Sequence, residues 1–433
     1  MVTLVLVAVA FALPPLLGWD VKAREEDPQS AVPPLHGMWE PKLFGPGTLP
    51  ALVIAVLAWR YAADLAARLP WRRLLLASYV VGLGWLLALA FVDGPAGIDR
   101  VLGNGFEYLQ TAREVDDVPA MLDEFIERIP ESRPDNWKVH VAGHPPAALL
   151  FFVGLVRLGL GGSFVAGVVV TMIAASTAVA VLVALRALGV EDHARRAAPF
   201  LVLTPAAVFM AVSADAMFAA VAAWGLAALA MAATRPRRGP LIAWSVAAGL
   251  LLGLCVMLSY GLPLLGFLAL GVLAAARSWL PLPVAAAAAL MVVLAFAVGG
   301  FAWWEAYPVL HDRYWEGLAG DRPAAYWIWG NLAALALCAG PLLGAGLWHL
   351  AAERRRLDGV ERVVLLLVGG AALAILVADL SQMSKGEAER IWLPFVPWLT
   401  LSLTLLSDGW RRWGLALQLA TALLVQHLFY TTW

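Results

Sequence analysis

Runs of roughly 20 apolar residues recur from one end of this chain to the other, the length an α-helix needs to cross the hydrocarbon core of a bilayer. They fall at about 2–18, 49–67, 74–92, 145–160, 163–186, 198–212, 216–233, 240–258, 262–277, 279–300, 324–348, 362–379, 392–406 and 412–430. Backbone amides surrounded by lipid must be satisfied within their own segment, so such runs fold as helices. With 62% hydrophobic and 14% charged residues, no stretch remains for a separate soluble domain. The expectation is an all-α polytopic membrane protein built as one integral domain over residues 1–433. A formal net charge of −1 offers no basic face to hold a phosphate backbone, which argues against a nucleic-acid partner. Cys255 and Cys338 lie in apolar runs without metal-ligand spacing and read as packing residues.

The first run lacks a basic leader and a small-residue cleavage site before Lys22, so it reads as a retained helix. Orientation follows from the excess of Arg and Lys in short cytoplasmic loops. Four clusters set it: Arg68-Arg72-Arg73, Arg235-Arg237-Arg238, Arg354-Arg355-Arg356 with Arg362, and Arg411-Arg412. Placing them inside puts the loops 19–48, 94–144, 301–323 and 380–391 outside, if 187–215 makes no net crossing. Arg186, Arg195 and Arg196 then fall on the outer side, and 198–212 reads as a re-entrant or tilted helix. The outcome is about 13 full spans, a cytoplasmic N-terminus and a C-terminus outside.

The larger polar segments thus gather on one face, which favours chemistry at an interface over a carrier with polar groups at the bilayer midplane. The longest, Asp93–His144, carries two amphipathic stripes. Phe106, Leu109, Ala112 and Val115 form one, and Val118, Leu122, Phe125 and Ile129 the other, with Asp117 as N-cap and Pro119 in the first turn. Two helices lying in the outer interface fit this pattern.

Asp99, just after the third run, is placed to act as a general base or metal ligand, or simply to pair with Arg100. His144 enters the fourth run ahead of Pro145-Pro146, which stiffens the backbone around an imidazole able to bind phosphate or donate a proton. His140 stands four residues earlier as a supporting group. Asp215 interrupts two apolar runs, and a carboxylate inside a span costs about 2.5–3.5 kcal/mol, which marks it as a functional candidate. Lys385, Glu387, Glu389 and Arg390 cluster before Leu393-Pro394, where the two cations can clamp a phosphate at headgroup depth or serve as snorkelling anchors. The aromatic stretch from Trp303 through Trp315 to Asp321-Arg322-Pro323 reads as an interfacial belt, and Asp20 with Glu25-Glu26-Asp27 as a solvated outer loop.

In this order the motifs resemble the GT-C glycosyltransferases, nearest the protein O-mannosyltransferase and aminoarabinose transferase branch often called family 39. His144-Pro145-Pro146 is similar to its Lys/His-Pro-Pro, Ser213-Ala214-Asp215-Ala216 to its Thr-Asp-Ala, and Glu389-Arg390-Ile391-Trp392-Leu393-Pro394 to its Arg-Tyr-Leu-Leu-Pro. The likeness covers 74–406, leaving 1–73 as two preceding helices and 407–433 as a C-terminal helix. The resemblance implies a GT-C-like bundle and inverting transfer of a sugar, mannose or another hexose or pentose, from a polyprenyl-phosphate donor. The acceptor would be a glycan, lipid or protein on the extracytoplasmic face of a bacterial cell membrane. It makes Asp99 the base or a metal ligand, and Asp215 part of the acidic site. His144, Lys385 and Arg390 would hold the donor phosphate. Glu387 and Glu389 would orient those cations. The family's acidic pair is replaced here by Asp99-Arg100, so a divalent metal such as Mg or Mn is not a firm expectation. The competing readings are a transporter or flippase for a lipid-linked envelope intermediate and a scaffold membrane protein.

Overall fold

A computed structural model describes residues 2–24 and 30–431, and almost every element in it is a helix. The Glu25-Glu26-Asp27 run lies outside the described residues. The N-terminal part comprises α1 (Val2–Leu17), β1 (Gly37–Trp39), α2 (Thr48–Arg68) and α3 (Trp71–Ala90). Short helices follow: α4 (Ala96–Gly103), α5 (Tyr108–Glu114), α6 (Val118–Asp123), α7 (Val139–Ala142) and α8 (Pro146–Arg157). The central bundle contains α9 (Ser163–Ala187), α10 (Glu191–Val202), α11 (Ala207–Met210), α12 (Ala214–Ala233), α13 (Arg238–Leu258), α14 (Leu265–Ala276) and α15 (Leu282–Val298). The C-terminal part adds α16 (Trp303–Glu316), α17 (Leu318–Asp321), α18 (Ala324–Cys338), α19 (Leu343–Glu353) and α20 (Glu361–Leu380). It ends with α21 (Ala388–Ile391), α22 (Val396–Thr400), α23 (Asp408–Leu428) and β2 (Phe429–Thr431), which pairs antiparallel with β1.

Among the described residues six helices are long and apolar enough to span a membrane, or eight if two bent pairs each count as one span. The expected number of about 13 is too high, for reasons visible in the runs themselves. Those at 2–18, 145–160, 262–277 and 392–406 fold as helices of 10–17 residues, and 324–348 bends by 106° between α18 and α19. The run at 198–212 breaks between α10 and α11.

Contacts sort the loops to two ends of the bundle. At one end Arg195 donates to the carbonyls of Ala66 and Leu69, Arg186 pairs with Glu191, and His193 meets Thr404. At the other, Asp99 meets Ser163, Arg313 caps the carbonyl of Trp137, and Tyr314 donates to the carbonyl of Gln382. Two expectations change together. The segment 187–215 does run from end to end, from Arg195 beside Leu69 to Asp215 beside Arg390. Conversely α8 does not: Arg157 at its C-terminus donates to the carbonyl of Asp116, and Arg113 to that of Gly161. Its 12 residues make about 18 Å of helix, well short of a bilayer core. The dissenting cluster Arg186-Arg195-Arg196 therefore joins the other Arg clusters, with Arg196 near Arg411 and His193 near Glu361.

Small residues bring helices close. α13 and α15 run parallel, and a methyl group on Gly249 or Gly253 would meet the carbonyl oxygen of Ala285 at 2.2 Å or of Ala289 at 2.7 Å. The first helix, α1, packs on α18, where the buried Tyr326 hydroxyl donates to the Ala10 carbonyl over 2.9 Å. Asp117 does cap α6, accepting from the Ala120 amide over 3.1 Å, and the stripe below it buries Phe125 and Ile129 against Phe301 and Trp137.

Candidate functional site

The α12 start, the loop after α20 and the 94–144 segment meet at one end of the bundle. Ser213 caps α12 by accepting from the Ala216 amide, which places Asp215 in the first turn, where the helix dipole favours an anion. There the Asp215 carboxylate meets the Arg390 guanidinium at 2.5 Å, and both side chains are about 95% buried, with 5% and 6% exposed. Arg390 reaches Glu387 at 2.7 Å through its second amino group. Glu387 in turn lies 3.5 Å from Arg322 and 3.9 Å from His36. Burial disfavours the charge on Glu387, but His36, Arg390 and Arg322 outweigh it and hold the carboxyl well below its ordinary range. The Arg390 guanidinium, despite burial, is held more firmly protonated by Asp215 and Glu387.

The loop bearing these residues is fixed from below and above. Asn331 donates to Asp379 over 2.8 Å and to the Ser384 carbonyl over 3.0 Å, and accepts from the Gly386 amide over 3.0 Å. Arg322 donates to the Lys385 carbonyl and to those of Lys22 and Ala23, which ties the N-terminal segment to the same loop. His36 closes that side, its amide donating to Glu389 over 2.8 Å. Its Nδ1 faces the Ala23 carbonyl over 3.1 Å, an oxygen that only accepts, so Nδ1 carries the proton. Burial pushes His36 down to about 4 and the fully buried Glu389 up to about 7.

A second pair sits beside the first. Glu107, at the head of α5, holds His140 Nδ1 at 2.7 Å, and His144 Nδ1 donates to the His140 carbonyl over 2.9 Å. That bond leaves His144 Nε2 to accept, and burial lowers the imidazole below its ordinary value against the opposing pull of Asp215. His144 lies edge-on to Tyr108 at 5.8 Å and tilted to Phe218 at 5.6 Å. The two groups sense one another: Glu107 interacts with Arg390 and His144, and His144 with Asp215 and Arg390.

Of the residues singled out from sequence, Asp215, His144, His140, Glu387, Glu389 and Arg390 come together here. Lys385 adjoins them, but its ammonium is spent on the carbonyls of Gly320 and Arg322, 3.4 and 2.9 Å away, and over the Trp315 ring. Asp99 does not join them. It is exposed on α4 and its carboxylate meets Ser163 at 2.5 Å, while Arg100 pairs with Asp93 instead. Among the described residues no group of three His, Cys, Asp or Glu side chains is arranged to hold a metal ion. Arg322, Glu107, Tyr108 and His36 were not anticipated. Arg322 belongs in sequence to the aromatic belt and Glu107 to a polar outer segment, and neither position carries a local signal of a partner 33 or 65 residues away.

The charged cluster adjoins an apolar cleft lined by Leu86, Ala174, Met210, Ala219, Leu393 and Val396 among others. Ala219 is one helical turn beyond Asp215, and Leu393 three residues beyond Arg390. No family model matches this chain, and neither a characterised protein nor a solved structure matches it.

Proposed function

We propose that this protein is a membrane glycosyltransferase that moves a sugar, mannose or another hexose or pentose, from a polyprenyl-phosphate donor to a glycan, lipid or protein acceptor. The observation that carries the reading is the buried Asp215–Arg390–Glu387 cluster, with an apolar cleft nearby whose lining includes Ala219, four residues beyond Asp215, and Leu393, three beyond Arg390. A ligand with a phosphate head and a hydrocarbon tail matches both halves at once. Arg390 already serves two carboxylates, so the donor phosphate would take the place of one of them. Glu387 is the one with a second cation, Arg322, to retain it. The leaving phosphate would then gain fixed positive charge in a site closed to water.

By the positive-inside rule the Arg-rich end is cytoplasmic, which puts the cluster on the extracytoplasmic face of a cell membrane. The transporter or flippase reading calls for a polar path between the two faces. The buried charged side chains among the described residues, Arg24, Glu107, Asp215, Arg322, Asp379, Lys385, Glu389 and Arg390, instead gather toward one end. That favours transfer. The test is to incubate purified protein with labelled polyprenyl-phosphate sugars and a cell-envelope extract, and in parallel with donor-loaded vesicles. Sugar transfer with release of polyprenyl phosphate is the expected result; movement of intact donor between leaflets without release would favour the transporter.

A further inference from the structure

We infer that Glu107 and His140 form the proton-accepting dyad of this site, with His140 as the catalytic base and Glu107 as its positioning residue. The inference rests on the transferase reading and deepens it, since the acceptor hydroxyl must lose a proton and the Asp99 carboxylate is engaged by Ser163.

The geometry is that of a carboxylate holding an imidazole. Glu107 Oε1 and His140 Nδ1 are 2.7 Å apart, with side chains 7% and 15% exposed. Burial opposes the Glu107 charge, but His140, Arg390 and His144 outweigh it and hold the carboxyl below its ordinary value, so it accepts and does not donate. Nδ1 therefore carries the proton, and Nε2 is the nitrogen left to accept. The dyad is also incomplete as it stands. Glu107 Oε2 and the hydroxyl of Tyr108, both buried, have no hydrogen-bond partner among the described residues. Buried polar atoms are rarely left so, and each costs about 1–3 kcal/mol unless something fills the space. Two such atoms on adjacent residues beside an imidazole point to a hydroxylated ligand.

The proton balance is simple. The acceptor hydroxyl gives its proton to His140 Nε2 while its oxygen forms a bond to the anomeric carbon. The bond from that carbon to the phosphate oxygen breaks, and its electron pair leaves on polyprenyl phosphate near Arg390. The resulting imidazolium is stabilised by Glu107 and returns its proton to water. Other charged and titratable groups face the dyad: Glu107 also faces Arg390 and His144, Glu387 lies near His140, and Tyr108 lies near Asp215 and Arg390.

The experiment uses the full chain in lipid nanodiscs with a panel of labelled polyprenyl-phosphate hexoses and pentoses and envelope extract as acceptor. His140→Ala should lower kcat by about 100-fold or more, leave the donor KM within about threefold, and regain about tenfold on adding imidazole. Glu107→Gln should move the acid limb of the kcat profile to lower pH, because the imidazolium loses its counter-charge. His140→Gln, which keeps a polar side chain of similar reach, should bind donor and remain slow. Wild-type turnover retained by His140→Ala would overturn the dyad and spare the transferase reading. So would a loss that imidazole does not relieve together with an unmoved acid limb. A wild-type protein that consumes no donor in the panel would sink the transferase reading and this inference with it.

Discussion

Asp215 and Arg390 lie 175 residues apart in the chain and 2.5 Å apart in the fold, in a contact almost closed to solvent. A buried ion pair of this kind contributes little net stability while intact, but breaking it strands a charge at a cost of about 3–5 kcal/mol. Arg390→Ala and Asp215→Ala should each lower the unfolding temperature markedly. The double variant should lose less than the two single losses added together. Thermal unfolding of the four proteins in one detergent checks this, and strict additivity would show that the pair is not coupled.

The loop that presents Arg390 depends on an unusual turn. Gly386 has φ of +79°, and a methyl group added there would lie 2.7 Å from the Arg322 guanidinium. Gly386→Ala should therefore cost about 1–3 kcal/mol and weaken donor binding along with stability. Asn331→Leu, which strands the Asp379 carboxylate and the Gly386 amide, should act in the same direction. Donor-binding titrations paired with unfolding temperatures measure both effects.

Glu389 makes stability depend on pH in a definite direction. Its folded value near 7 lies above the ordinary 4.5, so between those limits the folded protein holds a proton that the unfolded chain has released. Its contribution is complete below about pH 4.5 and is lost as pH rises toward 7. Glu389→Gln, neutral throughout, should match the wild-type unfolding temperature at low pH and exceed it at pH near 8. Glu387, held low, works oppositely: its contribution is present above the ordinary carboxylate range and is lost as pH falls.

The two-ended arrangement of loops is open to labelling. With Cys255 and Cys338 replaced, single cysteines at the exposed positions 192 and 237 should react with an impermeant maleimide from one side of sealed vesicles. Cysteines at 133 and 312 should react from the other. Labelling of 192 together with 133 would restore the re-entrant reading of 187–215.

Apolar periodicity made the helical class legible, and the cap at Asp117 and the stripe to Ile129 could be read residue by residue. Span number could not, because composition alone does not say whether a run such as 145–160 continues straight or stops after 12 residues. The conflict at Arg195 disappears once the crossing is assigned to 191–215 instead of to α8, which brings the Arg clusters to one end of the bundle. Within the site, Asp215 is visible because it interrupts apolar runs, where burying a charge is costly, and Arg390 because it stands in a charged cluster at the edge of one. Glu107 and Arg322 were not, because each sits in a segment already polar enough to be explained by water. Asp99 drew notice from its place after a span, yet its carboxylate meets only Ser163.

The most direct measurement is release of polyprenyl phosphate from labelled donor by purified wild-type protein, Asp215→Asn and Asp99→Asn. The account predicts release by the wild type, a loss of about 100-fold or more in Asp215→Asn, and near-wild-type release in Asp99→Asn. Equal release by wild type and Asp215→Asn, or no release from any donor, would contradict it.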